Sequence, residues 1–93
     1  MVIGVLQLEL SIPGADSLKS KRMVLRSVKD RVRQGFNVAV AEVDDNDLWQ
    51  HAVLGVVTIS NDRRFANEVL SKVVDYVQRE RDLVLDDYSL SFL

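Results

Sequence analysis

The stretch FNVAVAEVDDNDLWQHAVLGVVTIS, residues 36–60, carries two strand patterns in succession with only a polar connection between them. In its first part, Phe36, Val38 and Val40 share one parity, and this period of two is typical of a strand. Residues 51–60 are apolar at both parities, which predicts a strand in the interior of a sheet. The elements on either side of this strand pair therefore decide the fold.

Two more strand patterns lie nearer the ends of the chain. Residues 2–12 alternate between apolar and polar positions, which predicts a strand with one well-buried face. The apolar residues that share the buried parity are Val2, Leu6, Leu8, Leu10 and Ile12. Residues 83–93 predict a fourth strand, with Tyr88, Leu90 and Phe92 on one face.

Two segments carry the helical period instead. Asp16 or Ser17 is positioned to cap a helix from Leu18 to about Gln34, and Gly35 fits a left-handed C-terminal cap. The apolar stripe of this helix consists of Leu18, Val24, Leu25, Val28 and Val32. A second helix follows a cap at Ser60, Asn61 or Asp62, and its stripe consists of Phe65, Val69, Leu70, Val73, Val74 and Val77.

Together these segments give the order β-α-β-β-α-β in a chain of 93 residues. Two helices with one apolar stripe each can cover one face of a four-stranded antiparallel sheet, which is the ferredoxin-like α+β arrangement. The length suits a single ferredoxin-like domain over residues 1–93. Hydrophobic residues make up 47% and charged residues 28% of the chain, proportions typical of a soluble globular protein.

The composition also disfavours several classes of protein. No run of about eighteen apolar residues is present, so we expect neither a membrane span nor a membrane partner. The first residues include Glu9 and no basic leader, unlike a signal peptide. The absence of cysteine excludes disulfides, thiolate metal sites and cysteine nucleophiles. We therefore expect a cytoplasmic protein.

The segment SLKSKRMVLRSVKDRVR, residues 17–33, concentrates positive charge in a chain whose net charge is −2. Its seven cations and single anion sum to +6, which leaves −8 on the rest of the chain. Five of the cations are spaced by three or four residues and occupy an arc of roughly 80° over about 21 Å of the predicted helix. These five residues, called here the basic ridge, are Lys19, Arg22, Arg26, Lys29 and Arg33.

The basic ridge needs a compensating interaction, because like charges at these spacings repel one another. The ridge can face an external anion, the phosphate backbone of RNA or of a ribosomal subunit, in a non-enzymatic binding role. It can instead pair with carboxylates of the same chain. The candidates for that internal pairing are Glu68, Asp75, Glu80, Asp86 and Asp87.

Lys21 belongs to the same basic segment, but its side chain is predicted to point away from the basic ridge. Its helical angle places it inside the apolar arc, near Leu25 and Val28. Its stem can pack there while the ammonium reaches the end of the sheet. This position allows either a structural salt bridge or contact with an anionic ligand, and Lys21 therefore joins the ridge residues as an anion-binding candidate.

The polar connection after residue 43 holds several carboxylates and the only tryptophan, Trp49. Clustered carboxylates can bind divalent cations, but the spacing of a calcium loop is absent, so no metal site and no cofactor are predicted. A solvated loop, or pairing with the basic helix, is favoured instead. Trp49 either packs over an edge of the core or anchors an interface.

No motif for catalysis is evident. His51 is the only histidine and has no serine or cysteine partner in a recognisable arrangement. Acylphosphatases share the ferredoxin-like fold, but their glycine-rich phosphate loop is missing after the first predicted strand. We therefore predict no catalytic residues and no enzymatic activity.

The sheet face that the helices leave open is predicted to carry small and apolar side chains. Its predicted members are one parity of the third strand together with Ile3, Val5, Gln7, Asn37, Ala39, Ala41, Ser89 and Ser91. Domains that read single-stranded RNA on a sheet place aromatic residues there, and this pattern is absent. The face is better suited to self-association, so a homodimer or higher homo-oligomer using this face and Trp49 is the alternative function.

Three blocks carry a family resemblance: SLKSKR, FNVAVAEVDDNDLWQHAVLGVVTISND and EVLSKVVDYV. They resemble the small bacterial YlxP-like family, whose function is unknown and which is often described as ribosome-binding-factor-like. The resemblance spans almost the whole chain and implies a ferredoxin-like fold in a cytoplasmic protein. Because genes of the family often lie among those for translation and ribosome maturation, it also implies an association with RNA or ribosomal particles. It brings no catalytic residues.

Overall fold

In the computed structural model, which describes residues 1–93, six elements follow one another along the chain. They are β1 (Val2–Ser11), α1 (Leu18–Gly35), β2 (Ala39–Asp44), β3 (His51–Ser60), α2 (Arg63–Gln78) and β4 (Val84–Phe92). The predicted β-α-β-β-α-β order is confirmed. β2 begins at Ala39 rather than at Phe36, and the other elements lie within a residue or two of their predicted limits.

The four strands form one antiparallel sheet in the order β2-β3-β1-β4. β1 and β3 lie in the middle, as the two apolar faces of β3 predict, and β2 and β4 form the edges. Bulges interrupt the register at Val43 in β2 and at Asp86 in β4. The second bulge allows Leu85 and Leu90, which have opposite parity, to face the same core.

Both helices cover one face of this sheet, so the ferredoxin-like α+β fold is confirmed. Leu6, Leu8 and Leu10 of β1 are buried beneath the helices and belong to a continuous cluster of 17 buried residues. α2 approaches the sheet closely at Gly4, where an added Cβ would lie 2.8 Å from the Cδ1 atom of Leu70. α1 covers the part of the sheet near β2, and α2 covers β1, β3 and β4.

The helix starts agree with the sequence. Ser17 caps α1: its hydroxyl accepts the Ser20 N–H at 3.1 Å, and the Ser20 hydroxyl accepts the Ser17 N–H at 3.3 Å. This reciprocal capping box satisfies two backbone donors that the helix leaves free. Asp62 caps α2 with a single hydrogen bond, in which its Oδ1 accepts the Arg64 N–H at 2.9 Å.

Two details of the helices differ from prediction. The left-handed cap at Gly35 is wrong, because Gly35 is the last helical residue, no glycine has a positive φ, and Phe36 continues in extended conformation. The Phe36 ring packs edge-on against the Tyr76 ring of α2, with 6.1 Å between the ring centroids, and both rings pack against the core. Phe65 is 57% exposed and Ala66 is fully buried. Neighbouring helical residues differ by about 100°, so only one of these two can face the sheet.

Candidate nucleic-acid interface

α1 separates an apolar face from a charged one. Leu25, Val28 and Val32 are buried against the sheet. The basic ridge lies along the side of the helix that turns away from α2, where Lys29 is half-buried and the other four cations are exposed. Arg31, on the opposite side, pairs at 2.9 Å with Glu80, which lies just beyond the C-terminal end of α2. The helical period thus separates Arg31, which has an internal partner, from the basic ridge on the other side of the helix.

The ridge is largely unmatched within the chain. Only Arg33 contacts a carboxylate: its Nη1 lies 3.4 Å from Asp30, and its Nη2 donates to the Val40 carbonyl at 2.7 Å. No carboxylate oxygen lies within 4 Å of the remaining ridge cations, which are Lys19, Arg22, Arg26 and Lys29. Internal pairing therefore accounts for one ridge cation. The other four have no carboxylate partner in the chain; three of them are exposed and Lys29 is half-buried.

The carboxylates predicted as internal partners form no ion pair with the ridge. Glu80 is taken by Arg31. Asp86 accepts a hydrogen bond from the Ser11 hydroxyl across the sheet edge. The carboxylates of Glu68, Asp75 and Asp87 form no ion pair. The helix dipole also favours Arg33, in the last turn of α1, and it offers nothing to the four unpaired cations.

Two shallow depressions flank the ridge. One, of about 360 Å³, lies toward β2. It is lined by four ridge cations, two carboxylates and one leucine: Arg22, Arg26, Lys29, Arg33, Asp30, Glu42 and Leu25. The other, of about 410 Å³, is formed by Lys19, Arg22, Met23 and Arg26. Arg22 and Arg26 border both depressions, so a bound anion on either side meets the same two guanidinium groups.

Lys21 is not part of this exposed surface. Its side chain is fully buried, and its ammonium donates to the carbonyls of Asp45 at 2.6 Å and Leu48 at 2.7 Å. It also lies 2.9 Å from the Oε2 atom of Glu42, although that oxygen gains no well-aligned hydrogen bond. Lys21 thus has the structural role that its place in the apolar arc allows, and it is unavailable to an external anion.

The ammonium of Lys21 shapes the loop between β2 and β3. Asp45 adopts a positive φ of 58°, the only non-glycine residue to do so, and its carbonyl is held by Lys21. Gln50 fastens the other end of the loop by donating to the carbonyls of Pro13 and Ala15 at 3.3 and 3.2 Å. The loop is therefore bound to the helix layer rather than to the open sheet face.

Trp49 lies on this loop and does not cover the core. It is 55% exposed, and its neighbour Leu48 is 44% exposed. Of the two roles open to Trp49, packing over a core edge does not occur. The structure also separates Trp49 from the open sheet face, with which the sequence grouped it, because the flanking residues bind α1 and the β1–α1 turn.

The open sheet face carries the expected apolar character. Val5 pairs with Val57 and Ser91 on this face, and Gln7 pairs with Gly55 and Ser89. Val57 and Ile59 of β3 are exposed there, as is Val43 at the bulge of β2. The sequence named only one parity of β3 for this face, and the bulge at Val43 was not predictable because it adds a residue without breaking the local pattern.

Other kinds of site have little support. No group of three or more histidine, aspartate or glutamate side chains is placed to hold a metal ion. His51 is exposed at the start of β3, opposite Ser11 of β1. Neither α1 nor α2 has the length and apolar character needed to cross a membrane.

Comparison with known proteins gives a family but no activity. The family model described as a protein of unknown function (DUF503) matches residues 3–89. The chain is also 34% identical over 76 residues to a protein of Bacillus subtilis (strain 168) named Uncharacterized protein YlxP. The aligned residues cover 82% of this chain and 83% of that relative. These matches bear out the resemblance seen in the sequence, and the chain belongs to the DUF503 family of YlxP-like proteins, whose function is unknown.

Proposed function

We propose that this protein is a non-enzymatic cytoplasmic module that binds RNA, free or in ribosomal particles, through the basic ridge of α1. The observation that carries the proposal is the set of four ridge cations without an internal carboxylate: Lys19, Arg22, Arg26 and Lys29. A polyanion removes the repulsion among these groups and releases its own condensed counterions on binding. A small anion would occupy only part of a row of this length.

The form of the ridge supports contact with a phosphate backbone. The cations lie on one helix whose apolar face is fixed in the core by Leu25, Val28 and Val32. The backbone that carries them is therefore already ordered, and binding costs little backbone entropy. Contacts of this kind position a nucleic acid without reading its sequence. We therefore expect binding that depends steeply on salt and weakly on base sequence.

The test uses a charge reversal on the ridge. The triple variant Arg22→Glu, Arg26→Glu and Lys29→Glu should lose cosedimentation with ribosomal subunits and should lose affinity for labelled RNA in fluorescence anisotropy. For the wild type, four phosphate contacts predict a slope of roughly −3 to −4 for the logarithm of the affinity against the logarithm of salt concentration.

A matched control separates the ridge from net charge. The triple variant Arg64→Glu, Lys72→Glu and Arg79→Glu changes the net charge by the same amount at exposed positions on or next to α2. We expect it to retain most of the RNA affinity. If both triple variants bind RNA and subunits as well as the wild type does, the ridge is not an RNA-binding surface.

A second candidate function is self-association through the open sheet face. The observation that favours it is the exposure of Val43, Val57 and Ile59 on a face that no helix covers. Such an interface buries apolar surface, so its affinity should change little with salt, in contrast to RNA binding.

A further inference from the structure

We propose that a second copy of this chain docks its Leu48–Trp49 loop onto the ridge side of α1, around Met23. Leu48 and Trp49 are adjacent, large and exposed on a loop that Lys21 and Gln50 hold in place. Tryptophan contributes strongly to protein interfaces, and a loop that is already ordered loses little entropy when it docks. The surface is therefore prepared for an apolar contact.

The complementary surface lies on α1. Met23 is 65% exposed and lies in the depression of about 410 Å³ together with Lys19, Arg22 and Arg26. Methionine adapts its shape to an incoming side chain, and guanidinium groups stack on the face of an indole ring. This depression thus offers Trp49 both an apolar contact and cations at its rim.

Charge complementarity selects a second copy as the occupant. Asp44, at the end of β2, and Asp47, next to Leu48, both precede the docking side chains; they are exposed and have no cation within 4 Å in their own chain. Arg22 and Arg26 are likewise without a carboxylate partner. The same chain therefore presents an acidic apolar surface and a basic apolar surface, and each lacks the charge that the other supplies.

The two surfaces are neighbours, which allows a closed pair. Lys21 on α1 contacts the loop carbonyls of Asp45 and Leu48, so the loop lies beside the N-terminal half of the ridge. A two-fold axis between loop and ridge then places each loop on the partner's ridge at the same time. Such an isologous contact forms twice in one dimer and leaves neither surface open for further growth.

This dimer would cover ridge cations that bind RNA. That consequence rests on the proposed RNA-binding function, whereas the self-association does not. We therefore expect RNA and the second copy to compete, with the dimer as the form in which the ridge is masked.

The test is a charge exchange between the two surfaces, measured without RNA by analytical ultracentrifugation. The loop variant Asp44→Arg with Asp47→Arg, and the ridge variant Arg22→Glu with Arg26→Glu, should each be monomeric where the wild type is dimeric. An equimolar mixture of the two variants should form a heterodimer, because every loop–ridge contact is again between opposite charges. Trp49→Ala should weaken the wild-type dimer by about tenfold or more.

The control variant alters the open sheet face instead. Val57→Ser with Ile59→Ser removes apolar side chains on the opposite side of the sheet, and the dimer should persist. A wild type that stays monomeric up to about 1 mM, the weak end of specific association, would overturn the proposal. So would a dimer that survives both charge reversals, or one that only the sheet-face variant disrupts. A protein that dimerises as described but binds no RNA would instead refute the RNA-binding function alone.

Discussion

Among individual residues, Lys21 shows how one side chain can serve the fold inside a segment that looks functional. Its neighbours on the ridge face solvent, whereas Lys21 points into the core and meets two carbonyls and the Glu42 carboxylate. A buried charge is tolerated only when such partners surround it. The sequence does contain the signal, because its helical angle coincides with that of the apolar stripe.

Replacing Lys21 by methionine should destabilise the protein while leaving the ridge intact. Lys21→Met keeps most of the apolar stem but leaves the Glu42 carboxylate and two loop carbonyls without their donor. Removing one member of a buried ion pair costs about 3 kcal/mol. Urea denaturation should show a loss of this size in the free energy of unfolding.

A second variant identifies the cause of that loss. Lys21→Met combined with Glu42→Leu removes both charges, and replacement of a whole buried pair by apolar residues is often nearly neutral. The double variant should therefore be more stable than Lys21→Met alone. Equal stability of the two variants would mean that the loop carbonyls, rather than the ion pair, account for the effect.

Within the elements, α1 combines a strong N-terminal cap with an unfavourable charge pattern. Ser17 and Ser20 satisfy the first backbone donors, yet the first turn holds no acidic residue and contains Lys19. Cations at that end oppose the helix dipole, and the spacing along the ridge adds repulsion between neighbours. Helix stability is thus lower than a different choice of surface residues would give.

Lys19→Glu should make the protein slightly more stable and should weaken the proposed RNA binding. A carboxylate in the first turn interacts favourably with the dipole and with Arg22 three residues on, for a gain of about 0.5 kcal/mol. Thermal denaturation at low salt should show the increase, and anisotropy should show the loss of affinity. Lys72→Glu, in the middle of α2, serves as control because it changes the same charge far from a helix end.

A variant Lys19→Glu that is less stable than the wild type would contradict this account of α1. It would show that Lys19 has a favourable interaction in the native protein. A more stable variant with unchanged RNA affinity would keep the helix argument but exclude Lys19 from the binding surface.

Element boundaries and buried faces could be predicted where the spacing of apolar residues determines them. They could not be predicted where a single inserted residue interrupts that spacing. The buried character of β3 and the stripe of α1 follow directly from spacing. The bulges at Val43 and Asp86 do not, since each inserts one residue and neither is a glycine that would mark the position. The residues of the ridge could be predicted because helical spacing alone determines them. Its lack of internal partners could not, because Glu80 and Asp86 are engaged by Arg31 and Ser11, which are distant from them in the sequence.

For the whole molecule, stability and the candidate interfaces are distributed unequally across the sheet. β1 and β3 are bonded on both sides and contribute much of the core, whereas no residue of β4 is fully buried. α1, β2 and the Trp49 loop form the half of the molecule that carries the ridge. Motion of β4 can therefore occur without disturbing the proposed binding surfaces.

Amide hydrogen exchange should detect this inequality. Amides of β4 should exchange about tenfold or more faster than those of β1 and β3, because an edge strand with little buried surface opens locally before the protein unfolds. Leu90→Ala, which removes one of the few β4 side chains in contact with the core, should speed exchange in β4 more than in β3. Equal protection in all four strands would show that the sheet opens only by global unfolding. In that case β4 could not open independently of the half of the molecule that carries the ridge and the Trp49 loop. Any motion of β4 would then disturb both proposed binding surfaces.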